Sequence, residues 1–349
     1  MDTKLYLINP ENIDRDALYE AGQMIQKGGL VAFPTETVYG LGGDALNKES
    51  SKKIYAAKGR PSDNPLIVHI CCMEDLKAIV KDVPETAKRL ARAFWPGPLT
   101  MIFEKSELVP FETTGGLSTV AVRMPQDEIA LRFIKESGGY VAAPSANISG
   151  KPSPTLAKYV MEDMDGRIDA VIDGGEAVIG LESTIVDLTG DVPMILRPGY
   201  ITKDMLLEVL DDVCEDVTMM NVEEGVKPKA PGMKYRHYAP KGELTIISGD
   251  GSMVVSRINE LTKEAMSYGR KTGVIATEEN FGLYDADVIK NAGNRNEEAT
   301  IAKELYRILR EFDEEDVEVI YSEAFDESGI GQAIMNRLLK AAGHNIEYI

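Results

Sequence analysis

Residues able to do chemistry recur in this chain at one kind of place, directly after a short apolar run. Phe33-Pro34-Thr35-Glu36-Thr37, Val68-His69, Val122-Arg123, Pro144-Ser145-Ala146-Asn147 and Leu196-Arg197 all follow that pattern. Such runs read as strands, and in open α/β sheets ligands bind beyond the carboxyl ends of the strands, so one crevice can collect all of these groups. Each has a bland reading taken singly. A lone His at a strand end is more often a satisfied structural residue than a catalyst, and Ser145 and Asn147 are ordinary turn residues around a proline. The repetition carries the signal.

Four cations sharpen it. Arg123 follows Thr119-Val120-Ala121-Val122 and Arg197 follows Met194-Ile195-Leu196, with no acid close by in sequence. A partly buried guanidinium needs a counter-charge, and a tertiary ion pair supplies one readily in an acidic chain. For one Arg alone that is the better explanation. With Lys58 and Arg60 added, an anionic ligand explains the set better, because Arg suits bidentate contact with carboxylate or phosphate and Lys serves as a mobile point charge. Lys58-Gly59-Arg60-Pro61 also closes a helical stretch at 52–57, where cations suit the dipole and Gly caps the end. As exposed helix-end charges, both should matter little to stability.

Stepping outward, Ala17, Leu18, Ala21, Met24 and Ile25 recur at helical spacing between Asn12-Ile13-Asp14 and Gly28-Gly29. Strand-length runs at 30–33, 66–68, 99–103, 120–122 and 140–143 alternate with helical stretches, which predicts an α/β fold with a buried sheet. Runs at 184–187 and 194–196, joined by Thr189-Gly190-Asp191, make part of that sheet antiparallel, so a twisted mixed sheet is expected over residues 1–210. From 211 to 240 the hydrophobic period vanishes and three prolines enter, the mark of a linker. Over 241–349, runs at 244–247, 273–276, 286–289 and 317–321 with a helix at 299–312 predict a smaller, parallel, Rossmann-like α/β domain.

The chain has 349 residues, more than one compact domain holds comfortably, and 57 Asp and Glu against 38 Lys and Arg give a net charge of −19. That excess argues against binding nucleic acid through overall charge. The cysteines Cys71, Cys72 and Cys214 are too few for a disulfide framework and lack zinc-motif spacing, and no apolar run reaches membrane length. A reducing, cytoplasmic setting follows. Phosphate-loop, dinucleotide-glycine, nucleophile-elbow and His-Glu-x-x-His motifs are absent. Gly329-Ile330-Gly331 could offer backbone N–H groups to an anion, though a loop-to-helix junction explains it more simply.

The segments Phe33 to Leu41, Lys58-Gly59-Arg60-Pro61, Asn64-Pro65-Leu66, Trp95-Pro96-Gly97-Pro98-Leu99-Thr100, Arg123-Met124-Pro125 and Pro144-Ser145-Ala146-Asn147 together resemble the YrdC-like threonylcarbamoyl-AMP synthase family. Glu182-Ser183-Thr184 and Leu196-Arg197-Pro198-Gly199 continue the resemblance through about residue 210. Pro231-Gly232-Met233, His237-Tyr238-Ala239-Pro240 and Gly329 to Leu338 look like its two-domain form.

The resemblance implies an enzyme joining L-threonine, bicarbonate or CO2, and ATP into threonylcarbamoyl-AMP and pyrophosphate. A partner complex would then carry the threonylcarbamoyl group to tRNA, with direct tRNA binding by this chain weak or absent. It assigns Lys58 and Arg60 to catalysis and, with Arg197, to the ATP phosphates. Asn64, Thr119, Ser145, Asn147 and Ser153 complete the nucleotide site. Threonine falls to Thr35 and Thr37, on one face of an extended segment, with His69, Arg123 and Ser183. Arg123 would hold the carboxylate. Mg2+ is expected with ATP, its protein ligands unassigned, and no tightly bound cofactor is expected. The aromatic and cationic linker suggests a lid placing Arg236 or His237 near the phosphates. Alternatives are a carbamoyl transferase of the same group and a noncatalytic RNA-binding module with a basic face.

Overall fold

The computed structural model describes residues 2–216 and 238–349. These form two compact units. The first takes the residues up to Ser149, Ser153–Val178 and the described residues from Glu182 to 216; the second takes Gly150–Pro152, Ile179–Leu181 and the described residues from 238 on.

In the first unit β1 (Lys4–Leu7), α1 (Arg15–Gln26), β2 (Val31–Phe33), β3 (Gly40–Asp44) and α2 (Lys48–Lys58) come first. Then follow β4 (Ile67–His69), α3 (Met73–Ile79), α4 (Glu85–Phe94), β5 (Leu99–Glu104), β6 (Thr119–Arg123) and α5 (Glu128–Glu136). The unit closes with β7 (Val141–Ala142), α6 (Ala157–Met164), β8 (Ala170–Asp173), β9 (Thr184–Asp187), β10 (Met194–Arg197), α7 (Lys203–Leu207) and β11 (Cys214–Glu215). Among the described residues these strands make one mixed sheet in the order β1-β8-β2-β3-β7-β4-β6-β5-β9-β10-β11. β4 runs parallel to β6 and β5 to β9, while β5/β6 and β9/β10 are antiparallel. Burial on both faces explains the continuous apolar runs of β2, β4 and β6.

Local chemistry sets the helix ends. Asp14 accepts hydrogen bonds from the Asp16 and Ala17 backbone N–H groups and so starts α1. Asn47 does the same for α2, which is longer than the stretch read from sequence, and Gly59 ends it in the left-handed conformation at φ 62°.

The second unit holds β12 (Glu243–Ser248), α8 (Gly251–Ser267), β13 (Thr272–Ala276), β14 (Val288–Asn291), α9 (Glu298–Glu314), β15 (Val319–Glu323), α10 (Gly329–Ala341) and β16 (Ile346–Tyr348). Its strands form an all-parallel sheet in the order β14-β13-β15-β12-β16.

Several elements depart from the sequence reading. β1, β3, β8 and β16 were not expected. β3 is Gly-Leu-Gly-Gly-Asp, with neither alternation nor β-branched residues, because neighbouring strands leave no room for side chains. A Cβ on Gly42 would lie 2.9 Å from Val141 Cγ1 and 3.0 Å from the Val31 carbonyl oxygen. The strand expected at 286–289 sits at Val288–Asn291. β11 pairs with β10 inside the 211–240 stretch read as linker, so the first sheet runs past residue 210. Residues 217–237, which carry Arg236, His237 and most of the expected lid, lie outside the described residues.

Candidate active site

The chain leaving β2 turns at once. Thr35 Oγ1 accepts from the backbone N–H groups of Thr37 and Val38 and donates to the Val38 carbonyl at 2.7 Å. This is a hydroxyl-closed turn, not the extended segment expected from sequence, because the side-chain oxygen competes for the local backbone donors. It still brings Thr35 and Thr37 together, their hydroxyls 2.9 Å apart. Arg123, the last residue of β6, donates from Nη1 to Thr37 Oγ1 at 2.8 Å and from Nε to the Gly97 carbonyl at 3.3 Å. With Thr35 committed to Val38, the bonds run in one direction, from Arg123 through Thr37 to Thr35.

The counter-charge of Arg123 is Glu36, whose carboxylate lies 2.7 Å from Nη2 with both side chains under a tenth exposed. The approach is an ion contact outside good hydrogen-bond angles, so neither carboxylate oxygen has a hydrogen-bond partner. Sequence reading left Glu36 out of the site although it stands between the two threonines. The signal was its place in the motif; the tertiary pairing was not visible. Nearby Asp127 caps α5 through the Ala130 N–H, and burial, together with the Glu36 charge, pushes its carboxyl up to about 6.

His69 and Arg123 are register partners on the parallel strands β4 and β6. His69 Nδ1 lies 3.2 Å from the Ile67 carbonyl, and burial with the Arg123 charge lowers its pKa to about 3. It is a neutral imidazole at physiological pH. On the other side of β6, Thr100 of β5 is the register partner of Arg123 and lies 2.7 Å, oxygen to oxygen, from Ser183. Arg197 then donates to the Ser183 carbonyl from Nε at 3.1 Å and Nη2 at 2.9 Å, and to Ser183 Oγ at 3.2 Å. Thr100 is a second residue that sequence reading did not select, and it joins the two halves. Ser153 donates to Glu182, beside Ser183, at 2.6 Å.

A second cluster gathers at the end of α2. Lys58 is 2% exposed, and its Nζ lies 2.5 Å from the Ser145 carbonyl and 2.6 Å from that of Asn147. Ser145 Oγ donates to Asn147 Oδ1 at 2.5 Å. Arg60 is also buried and donates to the Pro65 carbonyl at 3.1 Å, beside Asn64, whose buried Oδ1 has no hydrogen-bond partner. Lys58 and Arg60 are therefore not the exposed helix-end cations that the sequence suggested. The Gly59 turn folds them inward.

Thr119 opens β6, four residues before Arg123. Its register partner is Glu104 of β5, while the Leu66 N–H, just ahead of β4, donates to the Thr113 carbonyl, so the structure does not bring Thr119 to Arg60 and Asn64. At about 3.3 Å per residue the two ends of β6 are about 13 Å apart. Thr119 apart, the assigned residues among those described form two groups: Thr35, Thr37, His69, Arg123, Ser183 and Arg197 in one, with Ser153 joined to it through Glu182, and Lys58, Arg60, Asn64, Ser145 and Asn147 in the other. Arg197, assigned to the phosphates, is held through Ser183 in the first. In the second unit, the Gly331 N–H donates to Glu298 Oε2 at 2.9 Å, so a carboxylate of the protein already occupies the anion seat suggested at Gly329-Ile330-Gly331.

Buried cations at strand and helix ends, anchored by carbonyls and hydroxyls, give this α/β sheet a set of fixed positive charges of the kind that enzymes acting on anionic substrates use. A family model described as telomere recombination, Sua5/YciO/YrdC, matches residues 23–199, and one described as threonylcarbamoyl-AMP synthase, C-terminal domain, matches 201–343. The chain belongs to the two-domain Sua5/YrdC family of threonylcarbamoyl-AMP synthases, and its activity is the synthesis of threonylcarbamoyl-AMP. The threonylcarbamoyl-AMP synthase of Pyrococcus abyssi is 49% identical over 339 residues, covering 96% of this chain and 97% of its own. That of Bacillus subtilis is 48% identical over 328 residues, covering 94% and 93%. The crystal structure of P. abyssi Sua5 complexed with L-threonine superposes with a TM-score of 0.94 at 47% identity, covering 99% of this chain and 100% of that one. No helix among the described residues is long and apolar enough to cross a membrane.

Proposed function

We propose that the two groups of residues divide the substrates between them. Threonine lies against Thr35, Thr37, His69 and Ser183 with its carboxylate on Arg123, and the ATP phosphates lie toward Lys58 and Arg60, with Arg197, held by Ser183 in the first group, meeting them from the threonine side. The observation that supports this division most is the bond path from Thr35 through Thr37 to Arg123, a preformed seat for a small hydroxy amino acid at the carboxyl end of β6. Arg123 already engages Glu36, Thr37 and Gly97, so an incoming carboxylate replaces one of those contacts instead of finding an idle guanidinium.

In the reaction the threonine ammonium gives up one proton to become an amine, the amine nitrogen bonds to the carbon of CO2, and loss of a second N–H proton to solvent leaves the carbamate anion. A carbamate oxygen then attacks the α-phosphorus of ATP as the bond to the β-phosphate oxygen breaks and pyrophosphate leaves. Negative charge is spread over the transferring phosphoryl oxygens throughout. Fixed cations in a dry site stabilise that charge without reorganisation, which is the role of Lys58 and Arg60. Arg197, tied through Ser183 and Thr100 to the strand of Arg123, sits where the two reactants meet. ATP enters as its Mg2+ complex.

The product passes in the cytosol to a transferase complex that modifies tRNA, since a net charge of −19 gives this chain little hold on a phosphate backbone. The test is pyrophosphate release with ATP, bicarbonate and threonine omitted in turn. Release should need all three. Release that ignores threonine points to another nucleotidyl transfer.

A further inference from the structure

Two residues beyond His69 the chain carries the adjacent cysteines Cys71 and Cys72, and the structure brings a carboxylate to both. Cys72 Sγ lies 3.1 Å and Cys71 Sγ 3.5 Å from the same Asp75 Oδ2. The three donor atoms lie within 4.8 Å of one another, and each residue is half-buried. We propose that Cys71, Cys72 and Asp75 form a binding site for a thiophilic divalent cation, Zn2+ being the best fit, separate from the substrate groups.

Three observations support it. The first is metrical. Zinc bonds of about 2.3 Å to sulfur and about 2.1 Å to oxygen at a tetrahedral angle place S and O about 3.6 Å apart. The observed separations of 3.5 and 3.1 Å need only a small outward shift to admit the ion. The second is the partnership of Asp75. Its side-chain hydrogen-bond partners among the described residues are those two thiols, weak donors for a carboxylate. The third is the position of Cys72. It is the N-cap of α3, where Ser, Thr, Asp or Asn would cap the helix, yet its side chain makes no capping bond and turns to Asp75 instead.

The donor set also selects the ion. Two sulfurs and one carboxylate oxygen disfavour Mg2+ and Ca2+, and a three-ligand protein set leaves a fourth tetrahedral position for water. Tyr140 closes one side, its hydroxyl donating to the Asp75 backbone carbonyl at 3.3 Å. An ion held here would clip the segment that follows β4.

The full-length chain, stripped of metal, is titrated with Co2+ and with Zn2+ against a chromophoric chelator. The expected result is one equivalent per chain and a thiolate-to-Co2+ charge-transfer band. Cys71→Ser and Cys72→Ser should each weaken Zn2+ by about tenfold or more, while Cys214→Ser leaves binding unchanged. In the unaltered protein Zn2+ should slow alkylation of Cys71 and Cys72, read by peptide mass, with Cys214 labelling at its original rate, so the idea remains testable if a serine variant misfolds. Absence of the charge-transfer band, or equal protection of all three cysteines, overturns it.

Discussion

At the scale of single residues the cations carry the account, and burial changes what their removal should do. Lys58 satisfies two buried carbonyls, so Lys58→Ala should abolish turnover and also cost about 2 kcal/mol or more of stability. Lys52→Ala, which removes a salt bridge to Glu49 with both side chains more than half exposed, should leave the melting temperature nearly unchanged. Calorimetry on the two variants reads the contrast, and equal melting temperatures would put Lys58 back at the surface. His69 supplies a pH dependence with a definite sign. Its folded pKa of about 3 lies below the unfolded value of 6.5, so the unfolded chain takes up the proton first. Stability from this group is intact above pH 6.5 and falls as pH drops toward 3, by about 2 kcal/mol at pH 5. His69→Gln should therefore flatten the loss of melting temperature between pH 7 and pH 5; an unaltered slope would mean that His69 titrates in the fold. The residue types at strand ends were legible in sequence, whereas Glu36 and Thr100 were not, because their roles arise from pairings across the sheet.

Among the elements, close approach decides where the site can form. Arg197 reaches Ser183 because Pro198-Gly199 brings the chain after β10 back against the start of β9. A Cβ on Gly199 would lie 2.4 Å from the Thr184 backbone nitrogen. Gly199→Ala should thus push Arg197 away from Ser183, lowering stability and cutting turnover together, with a melt and a pyrophosphate assay as the paired readouts. A fully active variant would show that the Arg197–Ser183 bonds do not matter to the reaction. Strands rich in Val, Ile and Leu were legible from their apolar runs. β3 was not, since glycines fitted to crowded neighbours erase the pattern that marks a strand. Cys71 and Cys72 were set aside in the sequence because their spacing matches no zinc motif, and Asp75 was not selected, since only the turn into α3 brings it to them.

For the whole molecule, a mixed sheet followed by a parallel one was readable from the alternation of runs, because each period reports which faces are buried. The acidity was legible as a number and the burial of Arg123 and Arg197 from the apolar strands they end, but not that Lys58 and Arg60 would be withdrawn into the fold as well. The central claim is that these cations serve two substrates from two ends of one sheet region. Isothermal titration of threonine and of ATP into the unaltered chain, Arg123→Lys and Arg60→Ala tests it most directly. A point charge cannot replace a planar fork on a carboxylate, so Arg123→Lys should weaken threonine by about tenfold or more with ATP little changed, and Arg60→Ala should do the reverse. Equal losses of both ligands in both variants would contradict the division.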